Sequence, residues 1–292
     1  MPPTNKAARI IKGQTIHRFI ARASNKLLKE MDAKYFFIDE VSMMHEIFYK
    51  FFCTLKRLRP ELKFIIAGDF RQFLPVADRV EGCNYENSSA LKELCDDNMI
   101  QLTKCRRSDD RLFTKCLPEN IGKVQASEFG NKITKRHICF TNKVRKELNE
   151  QMMQLEAKSK ASRNKTNIVE LEALDYDDNS QNVKVFAGLP VIARVNSKDF
   201  DLCNNDTMTV SKVRLKTKEF EVVREDGSKL DVKFDLFQKL FYPAYAITSH
   251  KAQGSTYDHP YTIWEWTHPR FDERAKYVVL SRSKKYEHIN IR

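Results

Sequence analysis

The chain has 292 residues, of which 41% are hydrophobic and 31% are charged. This balance is typical of a globular protein with one large domain or two ordinary ones, and it excludes an intrinsically disordered chain. Lys and Arg number 51 against 39 Asp and Glu, so the formal net charge is +12. Such an excess favours an acidic substrate or a nucleic acid as partner, although a generally basic surface would give the same count.

Features that the sequence lacks argue against several other classes. No apolar run of about 18 residues could span a membrane, and residues 1–12 are polar and basic, unlike a secretory signal. The seven cysteines form no Cys-x-x-Cys pair, which argues against a zinc ribbon or a disulfide framework. We therefore expect an intracellular protein with reduced thiols and no membrane partner, while nucleus, cytoplasm and organelle stay open.

The first third of the chain predicts a strand–helix–strand unit. Apolar, β-branched and aromatic residues form short runs at 35–38 and 63–67, which predict buried parallel strands. Between them, apolar residues recur at helical spacing over 43–58, and Pro60 ends the helix. A parallel sheet covered by helices carries its ligand site beyond the carboxyl ends of its strands.

The remainder predicts further buried strands and an antiparallel insertion. The buried strands are predicted at 137–140, 245–247 and 277–280. A helix is predicted over 144–155, and the polar residues 157–182 are interpreted as a loop or mobile insertion. Alternating apolar and polar residues, with a turn at Asp226-Gly227, predict a small antiparallel barrel over 188–241.

Polar side chains follow both early strands. Asp39 and Glu40 come directly after the first, where a carboxylate pair can hold Mg²⁺ and take a proton from water. Equally, Asp39 could cap the next helix while Glu40 is solvated. After the second strand, Gly68 allows a tight turn, and Gln72 could contact a phosphate oxygen or orient water unless the segment is an ordinary turn.

Together these two segments resemble motifs II and III of superfamily 1 DNA helicases, especially those of the RecD/PIF type. Other segments resemble the family's motif Ia region, the segment with an arginine for the γ-phosphate, motif V and motif VI. In the family's order, the six segments are residues 3–19, 38–43, 68–76, 102–109, 246–256 and 277–283. They span nearly the whole chain.

The resemblance implies ATP and Mg²⁺ as cofactors, with Asp39 and Glu40 as the Mg²⁺ ligands. The catalytic residues that it implies are Asp39, Glu40, Gln72, Arg107 and Arg282. The nucleotide contacts that it implies are Asp39, Gln72, Arg107, Gln253, Gly254 and Arg282. These residue types suit phosphoryl transfer, which needs a metal, a water-orienting group and guanidinium groups that bind phosphate in a fixed fork.

The resemblance also implies a groove for single-stranded DNA, or for DNA with a single-stranded tail. Such grooves combine cations, hydroxyls and stacking aromatic rings. The predicted contacts are Pro3, Thr4, Lys6, Thr15, His17, Phe19, Phe73, Thr248, His250 and Lys251. Taken alone, His17 is better explained as an interior histidine, and Phe73 could equally stack on a base or pack beneath Leu74.

The fold implied by the resemblance is α/β, with two RecA-like parallel-sheet domains of which the first is incomplete. We place the first domain at 1–115 and the second at 116–292, with the small β-barrel inserted at 188–241. Asn205-Asp206 stands where the family has Asn-Gly, a departure that bears on the geometry of one turn in the insertion.

One motif of the family is missing from the sequence. None of the eight glycines belongs to a Gly-x-x-x-x-Gly-Lys-Ser/Thr phosphate loop, which in the family precedes motif Ia. We therefore expect an N-terminally truncated chain that hydrolyses ATP weakly or not at all.

The sequence is compatible with two main functions. The first is an ATP-dependent helicase that translocates five-prime to three-prime on single-stranded DNA. The alternative is a non-catalytic remnant that binds single-stranded nucleic acid. An RNA helicase of the same superfamily is a third option, since the choice between DNA and RNA depends on contacts to the 2′-hydroxyl. It is the weaker one because Gly-Asp-Phe-Arg-Gln at 68–72 resembles the DNA branch. The oligomeric state stays open.

Overall fold

The structure is a computed structural model that describes residues 1–2, 8–9, 12–24, 31–75, 84–162 and 167–292. The chain forms two compact units, residues 1–106 and residues 107–292. Arg107, placed in the first domain on sequence grounds, therefore packs with the second unit. No helix of the described ranges is long and apolar enough to cross a lipid bilayer.

The first unit is built around two parallel strands. Its elements are α1 (Ile16–Arg22), β1 (Tyr35–Ile38), α2 (Glu46–Leu58), β2 (Lys63–Ile66) and α3 (Ser89–Leu94), with a short 3₁₀ turn at Val41–Met43. Strands β1 and β2 pair in parallel, with Tyr35 opposite Lys63 and Ile38 opposite Ile66. Met1 lies beside β1 and forms two backbone hydrogen bonds there. Its amino group donates to the Phe37 carbonyl oxygen, and its own carbonyl oxygen accepts from the Asp39 N–H at 3.3 Å. The parallel pairing agrees with the prediction from the two apolar runs.

Burial of β1 is one-sided, which corrects the prediction of fully buried strands. Phe36 is 5% exposed and packs against the rings of Phe19 and Phe52. Its neighbour Phe37 is 58% exposed, and so is Tyr35. The described helices contribute their core side chains to the Phe36 side of the sheet, so alternate residues of β1 face water.

The second unit begins with α4 (Asp110–Lys115) and α5 (Pro118–Ile121) and contains a four-stranded parallel sheet. Before the insertion come β3 (His137–Cys139), α6 (Asn142–Ala161), β4 (Val169–Leu171) and β5 (Val183–Val185). Residues 157–182, interpreted as a loop from the sequence, thus include the last turn of α6 and strand β4, which pairs with β5. The helical turn and the strand could not be predicted from composition, because both are partly exposed and therefore contain many polar residues.

The insertion is an open antiparallel sheet and not the closed barrel that the alternation predicted. It contains β6 (Pro190–Ala193), β7 (Thr207–Arg214), β8 (Glu219–Arg224), β9 (Lys229–Lys233), α7 (Phe234–Leu240) and β10 (Phe241–Pro243). The strand order is β10-β6-β7-β8-β9, so that β9 and β10 are edges. Helix α7 follows β9 and packs the rings of Phe234 and Phe237 against Phe220, so the inner face of the sheet is covered without closure.

The chain then returns to the parallel sheet, whose order is β11-β3-β12-β13. The returning elements are β11 (Ala246–Thr248), α8 (Ser249–Ala252), β12 (Tyr261–Ile263), α9 (Glu273–Leu280) and β13 (Ile289–Ile291). Residues 277–280 were predicted as a strand, but they end helix α9, which Asp272 caps by accepting a hydrogen bond from Ala275 N–H at 2.9 Å. A run of four buried apolar residues has no period that distinguishes strand from helix.

Candidate nucleotide and nucleic-acid site

The two acidic segments of the first unit emerge at the same edge of its sheet. The two backbones remain hydrogen-bonded to each other just beyond the strand ends. The Ala67 N–H donates to the Ile38 carbonyl oxygen at 2.8 Å, and the Val41 N–H donates to the Ala67 carbonyl oxygen at 3.0 Å. A β-carbon on Gly68 would lie 2.8 Å from the Val41 nitrogen, a distance too short for any residue but glycine. The structure therefore brings together the segments that begin at Asp39 and Gly68.

Asp39 and Glu40 are placed by the backbone at this edge. Asp39 is exposed, and its Oδ1 accepts a hydrogen bond from Glu40 N–H at 2.9 Å. Glu40 has a left-handed backbone with φ 54°, and it precedes the 3₁₀ turn without capping it through its side chain. Asp39 does not cap α2 either, because His45 occupies that position. Neither side chain caps a helix, and the pair lies beside the strand end with Asp39 exposed and Glu40 half-buried.

The carboxylate pair suits a metal that needs few protein ligands. Among the described residues, no group of three or more His, Cys, Asp or Glu side chains could hold a metal ion. Mg²⁺ is commonly bound by one or two carboxylates together with water and substrate phosphates. Asp39 and Glu40 therefore fit Mg²⁺ brought with a nucleotide, and do not fit a metal held by the protein alone.

The turn after β2 is fixed by Asp69. Its carboxylate accepts hydrogen bonds from the Arg71 backbone N–H at 3.0 Å and from Arg71 Nε and Nη2 at 3.0 and 3.2 Å. The Gln72 N–H donates to the Asp69 carbonyl at 3.0 Å. Gln72 and Phe73 are both half-buried in this turn, on the same segment that Gly68 holds against Val41.

The predicted DNA contacts near the N-terminus occupy different environments. Pro3, Thr4 and Lys6 lie outside the described residues. Thr15 is buried and caps α1, its hydroxyl accepting from Arg18 N–H at 3.2 Å. Phe19 lies in the core of the unit, where its ring contacts other aromatic rings. His17 is exposed and meets the Phe48 ring edge-on at 4.7 Å between centroids, so it is not an interior histidine.

The two predicted phosphate-binding arginines of the second unit meet at Ser281. Arg107 is exposed, and its Nη1 donates to the Ser281 carbonyl at 3.3 Å. Arg282 is only 2% exposed, and its Nη2 donates to Ser281 Oγ at 2.8 Å. Its Nε and Nη1 donate to the carbonyls of Val278 and Ser255 at 2.9 and 3.3 Å. In this conformation Arg282 supports the end of α9 from the inside, and Arg107 presents its guanidinium to solvent.

The predicted contacts of motif V surround the short helix α8. Thr248 is buried and caps α8 by accepting a hydrogen bond from Lys251 N–H at 3.4 Å, while His250 is exposed. Gln253 is half-buried, and Gly254 has φ 76°, a left-handed backbone that favours glycine. The Lys251 Nζ donates to Asn205 Oδ1 at 3.1 Å, which links α8 to the insertion.

Asn205 shows how the chain replaces the Asn-Gly turn. Its backbone has φ 72°, a conformation that Asn tolerates better than most residues. Asn205 N–H donates to the Ala193 carbonyl at 2.9 Å, and Ala193 N–H donates to that of Asp206 at 2.8 Å. The turn is therefore fixed against β6, and the Asn205 side chain is positioned to reach Lys251.

Sequence reasoning missed the groups around Lys251. Burial, reinforced by Arg145 and Arg194, lowers the pKa of Lys251 to about 8. Both arginines and Lys251 surround the ring of Tyr242. These residues come from α6, the end of β6, β10 and α8, and no spacing in one sequence would have grouped them.

Comparison with known proteins gives similarity at the level of structure. No protein-family model and no curated protein matches the chain. A structure concerning DNA unwinding at forked double-stranded DNA by two coordinating Pif1 helicases is 20% identical, with a TM-score of 0.69 over 99% of this chain and 80% of the other. Bacteroides Pif1 helicase in complex with ADP-AlF3 and single-stranded DNA is 20% identical, with a TM-score of 0.67 over 99% and 81%.

Pif1 helicase from Candida albicans is 19% identical, with a TM-score of 0.67 over 99% of this chain and 82% of the other. At these identities the similarity shows the fold. The chain therefore has a mixed α/β fold with parallel sheets like that of Pif1 helicases. The α/β class with parallel sheets, expected from the motif resemblance, is confirmed, whereas the antiparallel insertion does not close into a barrel.

Proposed function

We propose that the chain binds single-stranded DNA and acts as an ATP-dependent, five-prime-to-three-prime helicase of the RecD/PIF type. The observation that supports this most strongly is the fold shared over 99% of the chain with a Pif1 helicase in complex with ADP-AlF3 and single-stranded DNA. The paired segments at Asp39 and Gly68, and the two arginines that meet at Ser281, supply the residue types that phosphoryl transfer requires.

In this proposal, Asp39 and Glu40 at the end of β1 bind the metal and activate the attacking water. Asp39 and Glu40 would hold Mg²⁺, which adds positive charge beside the phosphates of bound ATP. Glu40 would take the proton of the water, and Gln72 would orient that water or contact a phosphate oxygen. The exposed carboxylate of Asp39 suits this task because a ligand can reach it without unfolding the turn.

The arginines would stabilise negative charge that develops on the phosphates. The exposed guanidinium of Arg107 can do this in the conformation described. Arg282 must first exchange its hydrogen bonds to Ser255 and Ser281 for bonds to a phosphate. Gln253 and Gly254 would contact the nucleotide from the end of α8. The strand groove would use Thr248, His250 and Lys251.

A non-catalytic single-stranded nucleic-acid-binding protein is the alternative function. Its support is the absence of a Gly-x-x-x-x-Gly-Lys phosphate loop from the 292 residues. For the same reason we expect slow ATP hydrolysis even under the first function.

The experiment that separates them is ATP hydrolysis with and without oligothymidine, comparing the parent with Glu40→Gln. Glu86→Gln is the matched control, because Glu86 is an exposed glutamate of the same unit. Slow hydrolysis that DNA stimulates, and that only Glu40→Gln abolishes, supports the helicase. DNA binding without any hydrolysis supports the alternative. Fast hydrolysis in the parent would contradict our expectation that the phosphate loop is required, and tighter binding of a matched RNA strand would contradict the choice of DNA.

A further inference from the structure

Three cations surround one aromatic ring in the second unit. The guanidinium carbons of Arg194 and Arg145 lie 4.6 and 5.0 Å from the centre of the Tyr242 ring, and Lys251 Nζ lies 5.5 Å from it. The carboxylate of Asp177 joins them, accepting from Tyr242 Oη at 2.8 Å and pairing with Arg194 at 2.7 Å. We call these five residues the Tyr242 cluster.

Positive charge exceeds negative charge in this cluster. Arg145, Arg194 and Lys251 face a single carboxylate, Asp177, whose side chain is 12% exposed. Like charges in a partly buried site raise one another's free energy, because water screens them poorly. The lowered pKa of Lys251, caused by burial and by the two arginines, reflects this. An anion bound in the cluster would relieve the repulsion.

Donor groups in the cluster have unused capacity. Arg145 is 2% exposed; it donates from Nε to Asn142 and from Nη2 to the Asn179 carbonyl, but its buried Nη1 has no hydrogen-bond partner among the described residues. Such orphaned donors are rare in native interiors and call for a ligand or water. Among the described residues, Lys251 Nζ donates to Asn205 alone, although an ammonium has three donors.

We propose that the Tyr242 cluster is a binding site for a backbone phosphate of single-stranded nucleic acid. Lys251 and Arg194 would contact the phosphate. Tyr242 is a positioning residue: its ring holds the cations through their attraction to the aromatic face, and its hydrogen bond to Asp177 fixes the ring. Nucleic acid is favoured over a free phosphate because two neighbours of Lys251 are predicted strand contacts: Thr248, which caps α8, and His250, which lies on α8. The inference rests on the proposed DNA binding and adds Arg145, Arg194 and Tyr242 to it.

The test is fluorescence anisotropy of labelled oligothymidine with the whole chain, over a series of salt concentrations. Arg194→Gln should weaken binding roughly three- to tenfold and make the log–log salt slope less negative by about 0.7, the value of one phosphate contact on a single strand. The matched control is Arg214→Gln. Arg214 is also paired with carboxylates, Glu221 and Asp231, in the same antiparallel sheet, and its loss should change affinity less than about twofold.

Tyr242 variants separate positioning from folding. Tyr242→Phe keeps the ring but loses its hydrogen bond to Asp177, so it should weaken binding less than Tyr242→Leu, which also removes the ring and should weaken binding as Arg194→Gln does. Thermal unfolding of each variant shows whether the fold is retained. If the parent binds DNA while Arg194→Gln keeps the parent's affinity and salt slope, the cluster is not a strand contact and the inference is wrong. If inorganic phosphate raises the melting temperature of the parent but not of Arg194→Gln, with DNA binding unchanged, the site takes free phosphate instead, which also overturns it. If the parent binds no DNA, the proposed function itself fails.

Discussion

Gly68 lies directly against the backbone of Val41, and a β-carbon on Gly68 would lie 2.8 Å from the Val41 nitrogen and 2.6 Å from its Cγ1. The contact joins the chain after β1 to the chain after β2. It sets the Asp39 carboxylate on the same edge as the Gly68 turn, which is the relationship on which the proposed nucleotide chemistry depends.

Gly68→Ala should therefore destabilise the first unit. The obstacle is backbone as well as side chain, so it cannot rotate away, and overpacking of this kind costs about 1–3 kcal/mol. Urea unfolding followed by far-ultraviolet circular dichroism measures the loss. Fluorescence of Trp264 and Trp266, both in the second unit, is the internal control and should keep its transition. An unchanged dichroism midpoint would show that the strand ends are not this close.

The neighbours Phe36 and Phe37 test the one-sided burial of β1. Phe36→Ala removes a ring packed among Phe19, Phe52 and Phe64 and should cost about 3–5 kcal/mol. Phe37→Ala, at a position 58% exposed, should change the free energy of unfolding by less than about 0.5 kcal/mol. Equal losses in the two variants, measured by the same urea titration, would mean that both faces of β1 are covered.

Arg282→Lys should lower the stability of the second unit as well as any ATP hydrolysis. Lysine cannot make the divergent bonds to Val278, Ser255 and Ser281, and a buried carbonyl left without a donor costs about 1–3 kcal/mol. Arg107→Lys, at an exposed position, should cost less than about 0.5 kcal/mol. Tryptophan fluorescence during urea unfolding compares them. Equal stability of Arg282→Lys and the parent would show that the arginine is not held inside.

His137 should make the second unit less stable in mild acid. Burial and the adjacent Arg136 lower its pKa from 6.5 to about 4, and its Nδ1 accepts a hydrogen bond from Trp264 Nε1 at 3.1 Å. The unfolded chain therefore binds this proton more tightly, so the free energy of unfolding should fall as pH decreases from about 6.5 to about 4. Above pH 6.5 this contribution is fully present.

The variant His137→Gln removes the titration and keeps an acceptor for Trp264. Its free energy of unfolding should depend less steeply on pH over that interval than the parent's. Identical slopes for the parent and His137→Gln, from urea titrations at several pH values, would exclude a buried, neutral His137.

The elements that could be predicted from sequence are those with a local signal. The parallel pairing of β1 and β2 followed from two apolar runs that end in polar residues, and the Asp226-Gly227 turn followed from its composition. Residues 277–280 could not be assigned, because a fully buried helical turn has the same apolar run as a buried strand. Closure of the antiparallel sheet also could not be predicted, because it depends on where α7 packs in the tertiary structure.

Some residues of the candidate site could be found from the sequence, and others only from the structure. The segments at Asp39 and Gly68 resemble helicase motifs and were found by their order along the chain. The grouping of Arg145, Arg194 and Lys251 around Tyr242 has no such signal, because each side chain comes from a different element and only the fold brings them together. Phe19 shows the converse: its motif predicts a DNA contact, and the fold places its ring in the core.

The most direct test of the central claim is the affinity of the intact chain for fluorescent oligothymidine, measured by anisotropy as salt increases from about 50 mM. We expect clear binding at low salt that weakens steadily, with a log–log slope of about −0.7 for each phosphate contacted. We also expect a matched RNA strand to bind more weakly. No binding at low salt, or an affinity that salt does not change, would contradict the proposed binding of single-stranded DNA.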